Sequence, residues 1–263
     1  MCSLGYGKIT VPMHRTTSKR NAILSRTPRY PFLLEGEKGA SQPPNDQGPS
    51  KYLTFIDSDT VSITMTGILF YLMCHPEYQV KLLQEFISAE KDHGVLNTTQ
   101  LASLPLLNGI INETLRLHYP GPSGFPRITP PEGLQIGDTF IPGGINVKVP
   151  IYTVYRNGRN FAQPGTFIPE RWTTKKELVR QPQAFAPFLI GPYNCVGKQL
   201  ALLQIRLVIY KIISMFEVLP LSQKQLAEYW DQRADGFNLG LGPLRTIFKH
   251  RTAPSEGDRS PLS

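Results

Sequence analysis

Residues 188–197, FLIGPYNCVG, run directly into the apolar stretch KQLALLQIRLVIYKIISMF, and the reading of that junction decides the fold. The apolar stretch predicts a long helix from about 196 to 216, its polar positions limited to Lys198, Gln199, Gln204, Arg206, Lys211 and Ser214. Cys195 therefore stands at a helix N-terminus, where unpaired backbone amides favour an anionic sulfur. Gly191 and Gly197 flank it and allow tight turns and a backbone lying flat against a large planar ligand, on which Phe188 can pack. An isolated cysteine at such a junction also reads as a buried structural residue.

Upstream, residues 151–195 show little periodicity, and so long a meander inside a compact domain is usually functional or wrapped around something. Residues 133–150 have strand character: GLQI and TFIP flank Gly137-Asp138, a two-residue hairpin turn, and INVKVP alternates after it. Five prolines between 120 and 131 forbid helix there. Before them LLNGIINETLRLHY predicts a helix after Pro105, Asn97-Thr98-Thr99 caps a short one, and Pro76 opens another that reaches about Glu90. Residues 58–74 read as a buried helix ended by His75-Pro76. Downstream, GFNLGLGPLRTIFKHR reads as a hairpin of two strands around Gly242-Pro243. The organisation is thus residues 1–50 irregular, 51–251 structured and 252–263 a polar tail. The fold class is mainly α with small β-sheets, α+β.

Composition narrows the function. Hydrophobic content of 40% against 18% charged residues places the structured part among globular chains. The net charge of +8 gathers in the first 30 residues without a basic, aromatic-interleaved stripe, which argues against nucleic-acid binding. Three cysteines (Cys2, Cys74, Cys195) make no disulfide scaffold and no Cys-x-x-Cys pair for zinc. The first 20 residues lack the apolar core of a signal peptide, and the stretch near 61–74 is short and polar-interrupted for a bilayer span, so no membrane anchor is expected in this chain.

Two further motifs stand out. Glu113 and Arg116, at i and i+3 of a helix, share one face and can pair, either as an ordinary surface salt bridge or as a buried one on an apolar helix. Asp59-Thr60 lies near the start of the helix over 58–74, where it is also an ordinary cap.

The spacing Phe-x-x-Gly-x-x-x-Cys-x-Gly resembles the haem-binding signature of the cytochrome P450 family, and GPYNCVGKQLAL is similar to a fungal-type member. The resemblance implies haem with Cys195 as its axial thiolate, and a cradle of Phe188, Gly191, Tyr193 and Gly197. Tyr193 departs from the family, which usually places Arg or His there to reach a haem propionate; a phenol offers one hydrogen bond and no charge. Arg127 is implied as a propionate partner, or else stays solvated among its prolines. Glu113, Arg116 and Arg171 of Pro-Glu-Arg-Trp match a buried triad that locks the meander. Asp59 and Thr60 match the acid and hydroxyl that manage protons over the distal haem face, although Ile56-Asp57 replaces the small residue and glycine that open an oxygen groove in relatives.

The resemblance further implies a monooxygenase that inserts one atom of dioxygen into an organic substrate with electrons from an NADPH-cytochrome P450 reductase, met by Lys198, Arg206 and Lys211. Relatives usually sit on the endoplasmic reticulum membrane. The likeness begins near Ser58 and ends near Arg251, so the expectation is a C-terminal half of the fold, truncated, retaining haem weakly. The alternative is a non-catalytic product with weak or no haem binding.

Overall fold

In the computed structural model the described residues are 50–236 and 238–251, with side chains from Asp59 onward; the irregular segment and polar tail expected at the two ends, and the Ile56-Asp57 side chains, lie outside them. Four helices lead: α1 (Ser50–Cys74), α2 (Pro76–His93), α3 (Thr98–Ser103) and α4 (Pro105–Leu117). Proline sets two of these boundaries, since Pro76 and Pro105 each occupy a first turn, where a missing N–H costs nothing. Gly94, at φ +72°, ends α2 with its N–H on the Glu90 carbonyl. At the start of α3, Asn97 Oδ1 accepts from Gln100 N at 3.0 Å and Gln100 Oε1 accepts from Asn97 N at 2.8 Å, a reciprocal cap. The α4 N-terminus is capped from another helix: the Glu85 carboxylate accepts from Leu106 N and Leu107 N at 2.7 and 2.9 Å.

Two small antiparallel ribbons come next. β1 (Arg127–Ile128) precedes a hairpin of β2 (Leu134–Ile136) and β3 (Thr139–Ile141), which turns through Gly137 at φ +55°. β4 (Asn146–Val147) returns to pair with β1. The meander is not wholly irregular, because Pro150 introduces a short helix, α5 (Ile151–Tyr155). Beyond it come 3-10 turns at Pro169–Trp172, Lys176–Leu178, Pro182–Ala184 and Gly191–Tyr193, with an isolated antiparallel bridge between Phe161 and Val179. Then come α6 (Lys198–Met215), β5 (Phe216–Pro220), α7 (Gln223–Asp231), β6 (Ala234–Gly236), β7 (Asn238–Gly240) and β8 (Thr246–His250).

The expected hairpin around Gly242-Pro243 is corrected here. Both of its strands exist, yet β7 pairs with β6, and β8 pairs along its full length with β5, from Phe216↔His250 to Pro220↔Thr246. The β5 ladder carries Val218 fully into the core and stacks Phe216 edge-on against Phe248, an apolar gain that the adjacent short β7 cannot match. α1 starts earlier than Ser58, and α7, capped by Ser222 on Gln225 N, is an element that the sequence pattern did not predict.

One core joins α1, α2, α4, α6 and α7 through Phe70, Leu82, Phe86, Leu107, Ile209 and Leu226. Among the described residues no helix is long and apolar enough to cross a membrane. Gly67 lets α1 approach α4, since a Cβ there would lie 2.7 Å from the His118 ring and 3.0 Å from Thr114 Cγ2. The buried amide of Gln79 ties α2 to two other elements, donating to Leu72 O and Val218 O at 2.9 and 2.8 Å and accepting from Val218 N at 3.0 Å.

His118 is buried with Nε2 3.1 Å from the Tyr229 hydroxyl. Burial, then the charges of Arg233 and Arg156, push its pKa down from 6.5 to about 3. The unfolded chain takes up this proton near 6.5 and the folded one does not, so stability present above that pH drains away as pH falls towards 3. The unfolding free energy from urea titrations should therefore drop on acidification from about pH 7 to about pH 4.5 by at most ~1.4 kcal/mol per pH unit from this group. His118→Gln should flatten that slope; equal slopes for both proteins would exonerate the imidazole.

Candidate functional site

The Glu113 carboxylate is the meeting point of four groups. On its own helix Arg116 reaches it with two donors, Nε at 3.0 Å from Oε2 and Nη2 at 2.8 Å from Oε1. From the turn Pro169–Trp172, Arg171 Nε lies 2.9 Å from Oε1 and Trp172 Nε1 3.0 Å from Oε2, while Ile168 N adds a bond of 2.9 Å. Glu113, Arg116 and Arg171 are all 0% exposed, which decides between the surface and buried readings of the pair. The remaining guanidinium donors find carbonyls of the meander: Arg116 those of Tyr155, Pro164 and Thr166, and Arg171 those of Ala162, Gln163, Thr166 and Leu178. Burial lowers the Arg171 pKa and Arg116 adds to this, against the opposing pull of Glu113. Gly109 makes the approach possible, because a Cβ would stand 2.8 Å from Pro169 O.

The loop before α6 is built from that anchor. Phe185 packs on Trp172 with centroids 4.2 Å apart, and Tyr155 Oη accepts from Ala186 N at 3.0 Å. Phe188 O then accepts from Cys195 N at 2.8 Å, closing the loop on itself. Between them Leu189 and Gly191 take φ of +60° and +73°; the glycine does so freely, the leucine at a cost of roughly 1–2 kcal/mol. Gly197 is the N-cap of α6 and its carbonyl accepts from Ala201 N. The Cys195 thiol is free and exposed.

Its neighbours along the chain, Ile190, Tyr193, Val196 and Leu200, are from 50% to 89% exposed, so apolar surface and a soft sulfur lie on one exposed ledge. Arg127 sits at its edge, its guanidinium 5.1 Å from the Tyr193 ring centroid. Tyr119, which sequence reasoning passed over, lies within electrostatic reach: burial first, then Cys195, push its pKa up to about 12. The residues here suit a haem. The donor present is one exposed soft sulfur with apolar chain neighbours, a set that fits an iron held in a flat macrocycle.

Asp59 and Thr60 lie on α1. Asp59 is exposed and Thr60 half-buried. Their carbonyls accept from Ser62 Oγ and Thr64 Oγ1 at 2.9 and 2.8 Å, and Thr66 Oγ1 repeats the pattern on Ser62 O. Of the basic residues on α6, Lys198 and Lys211 are exposed, whereas half-buried Arg206 donates to Asn108 Oδ1 at 2.9 Å.

Comparison with known proteins agrees on one family. Residues 54–243 match the sequence model of Cytochrome P450. A cytochrome P450 monooxygenase phqL of Penicillium fellutanum is 48% identical over 198 residues, 75% of this chain and 34% of that protein. A cytochrome P450 monooxygenase orf5 of Eupenicillium brefeldianum is 38% identical over 83% of this chain and 44% of its own length. A tryprostatin B 6-hydroxylase of Aspergillus fumigatus is 38% identical over 78% of this chain and 37% of its own. The chain therefore spans between a third and under half the length of these relatives.

Removing the central charge tests the anchor. Glu113→Gln keeps the shape but strands two buried guanidinium groups, and should lower unfolding free energy by about 3–5 kcal/mol in urea titrations followed by tryptophan fluorescence. A variant as stable as the parent would mean that the carboxylate's charge is dispensable.

Proposed function

Because the chain belongs to the cytochrome P450 family, we propose that it is a haem-thiolate monooxygenase in which Cys195 is the protein's ligand to iron. The observation that carries the reading is the exposed thiol at the head of α6, on a loop closed by the Cys195 N to Phe188 O bond whose apolar side chains Ile190 and Tyr193 are uncovered. When bound, a thiolate-ligated haem supplies one-electron and dioxygen chemistry, the sulfur's electron donation favouring O–O cleavage.

The chain's own residues have defined tasks in this proposal. Gly191, with no atom within 4 Å of the position a Cβ would take, leaves the ledge clear for a flat ligand, and Gly197 keeps the backbone beside the sulfur slim. The Phe188 ring packs between the core and that ligand. Arg127 offers donors to a carboxylate. On α1, the Asp59 carboxylate and the Thr60 hydroxyl would manage protons for the chemistry of the bound group. The triad of Glu113, Arg116 and Arg171 takes no part in the chemistry; it holds the meander and hence the sulfur. Electrons come from an NADPH-cytochrome P450 reductase, with Lys198 and Lys211 as the exposed charges on α6 for an acidic partner. The substrate is a small organic molecule.

The reduced, carbon monoxide-bound difference spectrum of the haem-loaded chain tests the assignment. It should show a thiolate-type Soret band that Cys195→Ser abolishes. A histidine-type or unligated spectrum in the parent would sink the proposal and leave a non-catalytic chain. With reductase and NADPH, Thr60→Ala should yield less product per NADPH consumed, and unchanged coupling would remove the hydroxyl from the proton path.

A further inference from the structure

Besides the buried Arg116, three arginines lie over aromatic rings, and one of the three differs from the others. Arg156, 3.9 Å from the Tyr152 centroid, donates to Leu117 O, and Arg233, 3.3 Å from Trp230, donates to Trp230 O. Both are fastened to carbonyls of the fold. Arg127 is exposed, pairs with no carboxylate among the described residues, and places a single donor, Nη1, on the neighbouring Pro126 O at 2.9 Å. The guanidinium lies 5.1 Å from the centroid of Tyr193, two residues before Cys195. Tyr193 is itself 70% exposed, so its ring does not fill the core.

We propose that Tyr193 is a positioning residue for Arg127: its aromatic face fixes the guanidinium beside the Cys195 loop, and the two act as one receptor for a carboxylate on the group that Cys195 ligates. This deepens the haem-thiolate reading and rests on it. An exposed arginine samples many rotamers, and a fork that must meet a carboxylate in one orientation binds better when a ring restricts it. The working part of Tyr193 is then the ring face and not the hydroxyl. A charge supplied through a neighbour takes the place of a charge at position 193 itself.

The full 263-residue chain provides the test. Without haem, NMR of the Arg127 side chain should show an upfield ring-current shift that survives Tyr193→Phe and vanishes in Tyr193→Leu; its absence in the parent overturns the proposal. With iron protoporphyrin IX, transfer of haem to an apoglobin scavenger should be roughly three- to tenfold faster for Tyr193→Leu and for Arg127→Gln, as expected for loss of one such contact. The double variant should release it no faster than either single one, and Tyr193→Phe should match the parent. With the dimethyl ester of the same haem, whose carboxylates are blocked, the differences should disappear. Release from Tyr193→Phe as fast as from Tyr193→Leu, additive effects in the double variant, or undiminished differences with the ester would each overturn it. A chain that takes no haem through Cys195 fails the parent reading and the receptor together, and the persisting ring-current shift identifies that as the cause.

Discussion

The fold around the sulfur depends on one buried carboxylate answered by two guanidinium groups. Glu113, Arg116 and Arg171 carry a net positive charge at zero exposure, and a charge so placed is tolerable only when every donor is met. The balance comes from main-chain carbonyls of residues 155–178, which turn their dipoles inward on the two arginines. That segment has little ladder of its own, so the arginines act as the hydrogen-bonding partners that a neighbouring strand would supply in a sheet. An apolar cluster of equal volume could match the packing but would leave those carbonyls unsatisfied. Lysine could not serve either, because it lacks the planar fork that reaches the carboxylate and several carbonyls together.

From this centre the order propagates along the chain to Cys195. Trp172 is held by Glu113, Phe185 packs on Trp172, the Tyr155 hydroxyl fixes Ala186, and Phe188 then receives the Cys195 amide. Each contact constrains the next few residues. The sulfur is therefore positioned from behind, by a relay of hydrogen bonds and ring contacts, while the ledge in front stays open. Backbone strain falls on two side-chain-bearing residues of this segment, Gln163 at φ +46° in the meander and Leu189 at φ +60° at the tip, where the backbone must reverse before α6 begins.

Much of this was legible in the sequence where the cause is local. Pro76, Pro105 and the Asn97–Gln100 pair mark helix starts because their chemistry acts within one turn, and the i, i+3 spacing of Glu113 and Arg116 puts them together on any helix. Arg171 was not derivable that way; only the family resemblance linked it to Glu113. What stayed hidden is non-local. The partner of β8 is decided by packing at Val218 and Phe216, which no short-range pattern records. Gln79 and His118 look like surface polar residues until the elements around them assemble, and the approach of Arg127 to Tyr193 joins a strand and a turn distant in sequence. Short strands and 3-10 turns carry too few residues for a period to show.

The placement of α4 explains why these features belong to one device. Its Gly109 and Glu113 face the turn at Pro169–Trp172, and its Thr114 and the adjoining His118 face Gly67 of α1. α1 is tied further along by Gln79, which reads the Leu72 carbonyl together with β5. A shift of α4 by the width of a methyl group would collide with Pro169 O on one side and release the contact with α1 on the other. The helix thus fixes, in one register, both the meander that delivers Cys195 and the helix that carries Asp59 and Thr60. It is this shared frame that makes the relative position of the two groups of residues a property of the sequence.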